Sequence, residues 1–113
     1  MRLFDLHIHA AGGLVHAVLS GEIDLSTVGE VQARLDEAVV DAPGVLLLDM
    51  RGVTFLDSSG LRMLLRLDRR QREQGKRLVV VPGGRRVARV LELTGADREL
   101  ELVEDPGQVS GNG

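Results

Sequence analysis

The chain has 113 residues, 43% of them hydrophobic and 27% charged, with a formal net charge of -3. That is enough for one domain with one core and too little for two ordinary domains. The absence of cysteine excludes disulfides, thiolate metal sites and cysteine nucleophiles, and no apolar run approaches the ~18 residues of a membrane span.

Leu3 to His9 alternates, with Phe4, Leu6 and Ile8 on one side and Asp5, His7 and His9 on the other, which predicts a half-buried strand. Gly12-Gly13 marks a turn into a second strand, about Leu14 to Ser20, and so an N-terminal hairpin. Gly21-Glu22-Ile23-Asp24 then leads to a helix. Thr27 and Glu30 have capping-box spacing, with Ser26 as a rival cap. Val28, Val31, Leu35, Ala38 and Val39 form the apolar stripe of that helix, and Asp41-Ala42-Pro43-Gly44 ends it.

Val45 to Leu48 is a continuous apolar run bounded by turn residues, as in a strand covered on both faces. Arg51-Gly52 is expected to bend the chain before Val53 to Leu56 re-enters the core. Asp57-Ser58-Ser59-Gly60-Leu61 follows, opening a helix from about Ser58 to Gln74 that buries Leu61, Leu64, Leu65 and Leu67 and stops at Gly75. Arg77 to Val81 reads as the next buried strand, Pro82-Gly83-Gly84 as a loop, and Val87 to Leu93 as a short helix stopped by Gly95. Leu100 and Leu102 alternate with Glu99, Glu101 and Glu104, compatible with a final strand or a fraying helix. Residues 1–104 are expected to form the domain and 105–113 a disordered tail. Strands alternating with helices predict one α/β domain with a mixed, mostly parallel sheet, an N-terminal antiparallel hairpin and helices packed on the sheet.

Charge is uneven: Arg62 to Arg89 holds ten Lys or Arg against two acids, Asp68 and Glu73. Without Trp or Tyr the stacking platforms for single-stranded nucleic acid are missing. A solvated helix face with a basic rim is the simpler reading, and it would suit an acidic protein partner.

Four chemistries compete for the polar motifs. Asp5-Leu6-His7-Ile8-His9 has the D-x-H-x-H pattern of barrel-fold metallohydrolases, but that barrel needs about 200 residues or more. His16 is the only other histidine, so solvent-facing strand histidines are expected and no metal. A serine hydrolase is opposed by the absence of a G-x-S-x-G elbow and of any histidine after Ser58 and Ser59. Pro82-Gly83-Gly84-Arg85-Arg86 opens a helix, yet neither standard nucleotide loop is present. In the fourth, a serine at a helix start is itself modified. Ser58 and Ser59 diverge by about 100° on a helix, so one can face outward while the other caps or packs inward. Gly60 is expected to leave bare surface beside them.

Gly21-Glu22-Ile23-Asp24, the Val45-Leu46-Leu47-Leu48-Asp49 strand and Val53-Thr54-Phe55-Leu56-Asp57-Ser58-Ser59-Gly60-Leu61 together resemble STAS domains. The order and spacing of Lys76 to Val81 and Val90 to Gly95 are similar too, so the resemblance covers roughly Leu3 to Val103. Within that family the chain is most similar to small, free-standing bacterial anti-sigma factor antagonists. The resemblance implies a cytoplasmic phospho-switch, not an enzyme, with no cofactor. Its partners would be an anti-sigma factor with GHKL-type serine kinase activity and a PP2C-type phosphatase, with no direct contact to nucleic acid. Ser58 would take the phosphate. Asp24, Asp57, Ser58, Ser59 and Gly60 would form the partner-binding site, with Ser59 the more structural hydroxyl. The alternative is a scaffold STAS subunit of a larger signalling or lipid-transport complex.

Overall fold

A computed structural model describes residues 3–40, 42 and 44–110. Asp41 and Pro43, expected to help end the first helix, lie outside the described residues, as do 111–113. Five strands form one sheet: β1 (Phe4–Ala11), β2 (Leu14–Ile23), β3 (Val45–Leu56), β4 (Arg77–Val81) and β5 (Glu101–Leu102). They lie side by side in the order in which the chain makes them, with β1–β2 antiparallel and every other pairing parallel. The helices are α1 (Val28–Val39), α2 (Ser58–Glu73), α3 (Arg85–Thr94) and the four-residue α4 (Ala96–Glu99). This is the mixed α/β fold with an N-terminal hairpin expected from the sequence.

The hairpin closes through Gly12 and Gly13, both at positive φ (59° and 80°), the pattern of a two-residue primed turn that matches strand twist. From it the alternation holds, with Phe4 and Leu6 buried and Asp5, His7 and His9 exposed. β2 runs three residues further than expected, to Ile23. Gly21 makes this possible: its φ is +94°, and a Cβ there would strike the Leu3 carbonyl, while the Glu22 N–H donates to that same oxygen (2.8 Å).

β3 runs unbroken from Val45 to Leu56, and the irregularity expected at Arg51-Gly52 takes the form of a bulge within the strand. Gly52 pairs with Ser20, and a Cβ on it would lie 2.7 Å from the Ser20 Cβ. The strand passes because the side chain is missing, and the irregularity is carried by β3, which has one residue more than β2 between Asp49 and Gly52 (opposite Val18 to Ser20) and again between Val53 and Phe55 (opposite Gly21 to Glu22).

The helix-facing side of the sheet holds the main core, where Leu19, Leu46, Leu48, Met50, Leu64, Leu78 and Leu91 are shielded from solvent. Each such side chain contributes about 1.5–3 kcal/mol of burial relative to exposure. A smaller cluster of Val45, Leu47, Val79 and Val81 occupies the opposite face, with Leu14, Val103 and Val109 against it. Val109 reaches it from the segment expected to be a tail, where Pro106–Gln108 form a 3-10 turn. There the Asp105 carboxylate accepts from the Gly107 N–H, and the Gln108 side chain accepts from the Asp105 N–H.

Asp36 on α1 meets Arg66 (3.7 Å) and Arg70 (3.3 Å) on α2. α2 ends in a Schellman arrangement: Lys76 N–H donates to Gln71 O and Gly75 N–H to Arg72 O, with Gly75 at φ +71°. The undecided C-terminal segment resolves into β5, parallel to β4. No helix among the described residues is long and apolar enough to cross a membrane.

Candidate functional site

The end of β3 delivers Asp57 to the start of α2, and Asp57 caps it. Its backbone is extended (φ -99°, ψ -172°), and its Oδ1 accepts from the N–H groups of Ser59 (2.8 Å) and Gly60 (3.1 Å). Its carbonyl accepts from Leu61 N–H (3.0 Å), and its own N–H donates to Ile23 O (3.2 Å). Those bonds leave the Ser58 N–H as the first-turn donor they do not use. The Ser58 side chain is exposed and its Oγ has no hydrogen-bond partner among the described residues. A free hydroxyl therefore stands at the positive end of a sixteen-residue helix, where backbone N–H groups favour anions. Ser59 is half-buried and forms no side-chain cap; the capping falls to Asp57 alone.

Gly60 corrects the sequence reading. It does not leave the surface bare but is buried, facing inward: a Cβ there would collide with Leu56 Cδ1 and come within 3.1 Å of the Ile23 side chain and carbonyl. Its missing side chain lets α2 seat directly on the ends of β2 and β3, which fixes the height of Ser58.

The second wall is the loop after β2. Asp24 Oδ1 accepts from the Ser26 N–H (2.9 Å) and hydroxyl (2.6 Å). These bonds, the Ser26 hydroxyl foremost, hold the Asp24 carboxyl below its ordinary range despite some desolvation. The capping box expected from Thr27 and Glu30 does not form. Thr27 turns its hydroxyl back to donate to Glu22 O (2.9 Å) and accept from Asp24 N–H (3.0 Å), and makes no side-chain cap to α1. The Ile23 bond to Asp57 places this loop, with Asp24 and the 79%-exposed Leu25, beside the Ser58 turn.

The other candidates lie elsewhere. His9 stands opposite His16 across the hairpin, with His7 two residues along on the same face; that face points away from the helix layer. Among the described residues no group of three or more His, Asp or Glu could hold a metal ion. In the Pro82-Gly83-Gly84 loop, Gly83 (φ +71°) lies against the Arg51 backbone, so its glycine serves close packing.

A family model described as "Mlab, STAS domain" matches residues 7–104. The chain belongs to the STAS domain family. This STAS domain is 36% identical over 88 residues to the anti-sigma-F factor antagonist RsfB of Mycobacterium tuberculosis, covering 76% of this chain and 71% of that one. It is 30% identical over 94 residues to the anti-sigma-B factor antagonist of Listeria monocytogenes, covering 83% and 82%. Among solved structures, an anti-sigma factor antagonist from Mycobacterium paratuberculosis superposes with a TM-score of 0.78 at 28% identity, covering 90% of this STAS domain and 86% of that chain.

Sequence reasoning missed two residues beside the site. Phe55 and Leu93 are 44% and 72% exposed, although Val53 to Leu56 reads as core-bound. Strand alternation could not find Phe55, because β3 carries an extra residue, Thr54, where β2 steps from Gly21 to Glu22.

Proposed function

We propose that this STAS domain is an anti-sigma factor antagonist. Its unmodified form binds an anti-sigma factor that is also a GHKL-type serine kinase, and so frees a sigma factor. Phosphorylation of Ser58 switches that binding off, and a PP2C-type phosphatase restores it. The domain carries out no catalysis of its own. One observation carries the reading: an exposed, unbonded Ser58 hydroxyl stands at a helix start whose capping is already done by Asp57. The names of the relatives support it.

Electrostatics explains why such a switch acts on binding. A phosphate adds about -1.5 to -2 charge at neutral pH. The helix start favours it by about 0.3–1 kcal/mol, while the Asp57 and Asp24 carboxylates oppose it, so the fold itself is little affected. In an interface the same charge loses its water beside those two acids. A cost of about 3–4 kcal/mol there weakens binding by two to three decades. Asp24, Asp57, Ser58 and Ser59 form the contacted surface, with Gly60 setting it from beneath.

The test is incubation with candidate GHKL-type kinases and ATP, reading intact mass and mapping the site, followed by titration of the kinase that responds. One phosphate on Ser58, retained binding by Ser58→Ala and roughly 100-fold weaker binding by Ser58→Glu are expected. Equal affinity of all three forms, or phosphate confined to Ser59, would overturn the reading.

A further inference from the structure

α3 presents Arg86, Arg89, Val90 and Leu93 at i, i+3, i+4 and i+7, a single helix face, while Val87 and Leu91 point into the core. With Phe55 and Leu56 at the end of β3, these four line a groove of about 300 Å³. Two of its apolar side chains, Phe55 and Leu93, are open to water, above a floor of buried Leu56 and half-buried Val90. The chain has two phenylalanines; Phe4 is buried at 8% exposure, but Phe55 and Leu93 are not. An apolar patch with a charged rim marks an interaction site.

The rim gives the sign of the partner. Arg86 and Arg89 form no ion pair among the described residues, so their charge stands uncompensated at the groove. No carboxylate lines the groove. The opposite edge of α3 contrasts with it: the hollow of about 470 Å³ there is bordered by Glu92, Asp97 and Glu104. A second copy docked by two-fold symmetry would set the two arginines against their own counterparts, a like-charge contact. Phe55 and Leu56 run directly into Asp57 and Ser58, so a segment in the groove continues onto the phosphorylated turn.

The geometry points to this groove as the docking site for an acidic amphipathic helix of the anti-sigma factor, an inference that rests on the function proposed above. One bulky apolar side chain of that helix fills the space between Phe55 and Leu93, and carboxylates about one turn apart meet Arg86 and Arg89. The groove supplies affinity and orientation, and the Ser58 turn supplies the switch.

The experiment titrates the anti-sigma factor kinase found in the assay above, at low and high salt. The proteins compared are wild type, Arg86→Glu/Arg89→Glu, Leu93→Ser and an Arg85→Glu control outside the groove. Circular dichroism confirms that each is folded, as expected for changes at exposed positions. The double reversal and Leu93→Ser should each bind on the order of tenfold or more weakly. The double reversal should also lose the salt dependence, and Arg85→Glu should match wild type. Wild-type affinity in both groove variants, with Ser58→Glu still defective, overturns the groove and leaves the switch standing. Failure of wild type to bind any such kinase overturns both. Sedimentation that shows self-association of wild type, abolished by Leu93→Ser, assigns the groove to a second copy and overturns the proposal.

Discussion

A single oxygen of Asp57 accepts two of the N–H groups that open α2, and this is what frees the neighbouring serine. Replacing that carboxylate by alanine leaves both donors in want of water, so Asp57→Ala should lower stability by about 0.5–2 kcal/mol, while Asp57→Asn stays close to wild type. Urea unfolding of the three proteins measures it, and equal midpoints for all three would exclude the capping role. Gly60 predicts a loss of another kind. Gly60→Ala forces a methyl group against Leu56 and Ile23 and should cost about 1–3 kcal/mol through overpacking. At this scale the sequence was legible where meaning is local: D-S-S-G-L shows a serine at a helix start. The inward role of Gly60 was hidden, because its neighbours Ile23 and Leu56 come from two strands that meet only in the fold.

Elements add pH dependence, and two buried aspartates carry it in opposite directions. On α2, burial pushes the Asp68 carboxyl above its ordinary 3.8; Arg72 at 3.1 Å pulls back, and Glu99 and Glu101 add to the rise. The folded state therefore binds that proton more tightly than the unfolded state does. Ionising Asp68 costs stability above its folded pKa, and the cost fades as pH falls towards 3.8. Asp68→Asn should thus gain on wild type at about pH 7 relative to about pH 4 in thermal unfolding. A difference between the two proteins that is the same at both pH values would contradict this. On β3, burial would also raise Asp49, but the hydrogen bonds and charge of Arg51 outweigh it and hold the carboxyl below 3.8. That pair stabilises above the ordinary value and is lost as pH drops through the folded one, so wild type should lose more stability than Asp49→Asn as pH falls from about 4 towards 2, a reverse trend in a lower window. The elements themselves were largely readable: alternation gave β1, the apolar run gave the buried start of β3, and Gly75 and Gly95 marked helix stops. What failed was continuity. Whether β3 passes Gly52 depends on Ser20 across the sheet, and whether β2 reaches Ile23 depends on the Leu3 carbonyl.

At the scale of the whole molecule the proposed switch should separate from the fold. The phosphorylated domain should unfold within a few degrees of the unmodified one while losing two to three decades of partner affinity; calorimetry beside the binding titration checks it. Residues 103–110 pack on the fold, where Val103 and Val109 lie against the second apolar face. Removing residues 104–113 should lower stability by about 1–2 kcal/mol and expose that face to other molecules, which denaturation and sedimentation would detect. The order of the sheet has one more consequence. Because its neighbours follow the chain from β1 to β5, no strand has to be inserted between two already paired. A nascent chain emerging at about 5–20 residues per second can lay each strand on the edge left by the last. Synthesis and assembly can then advance in the same direction, with one growing edge awaiting its next partner.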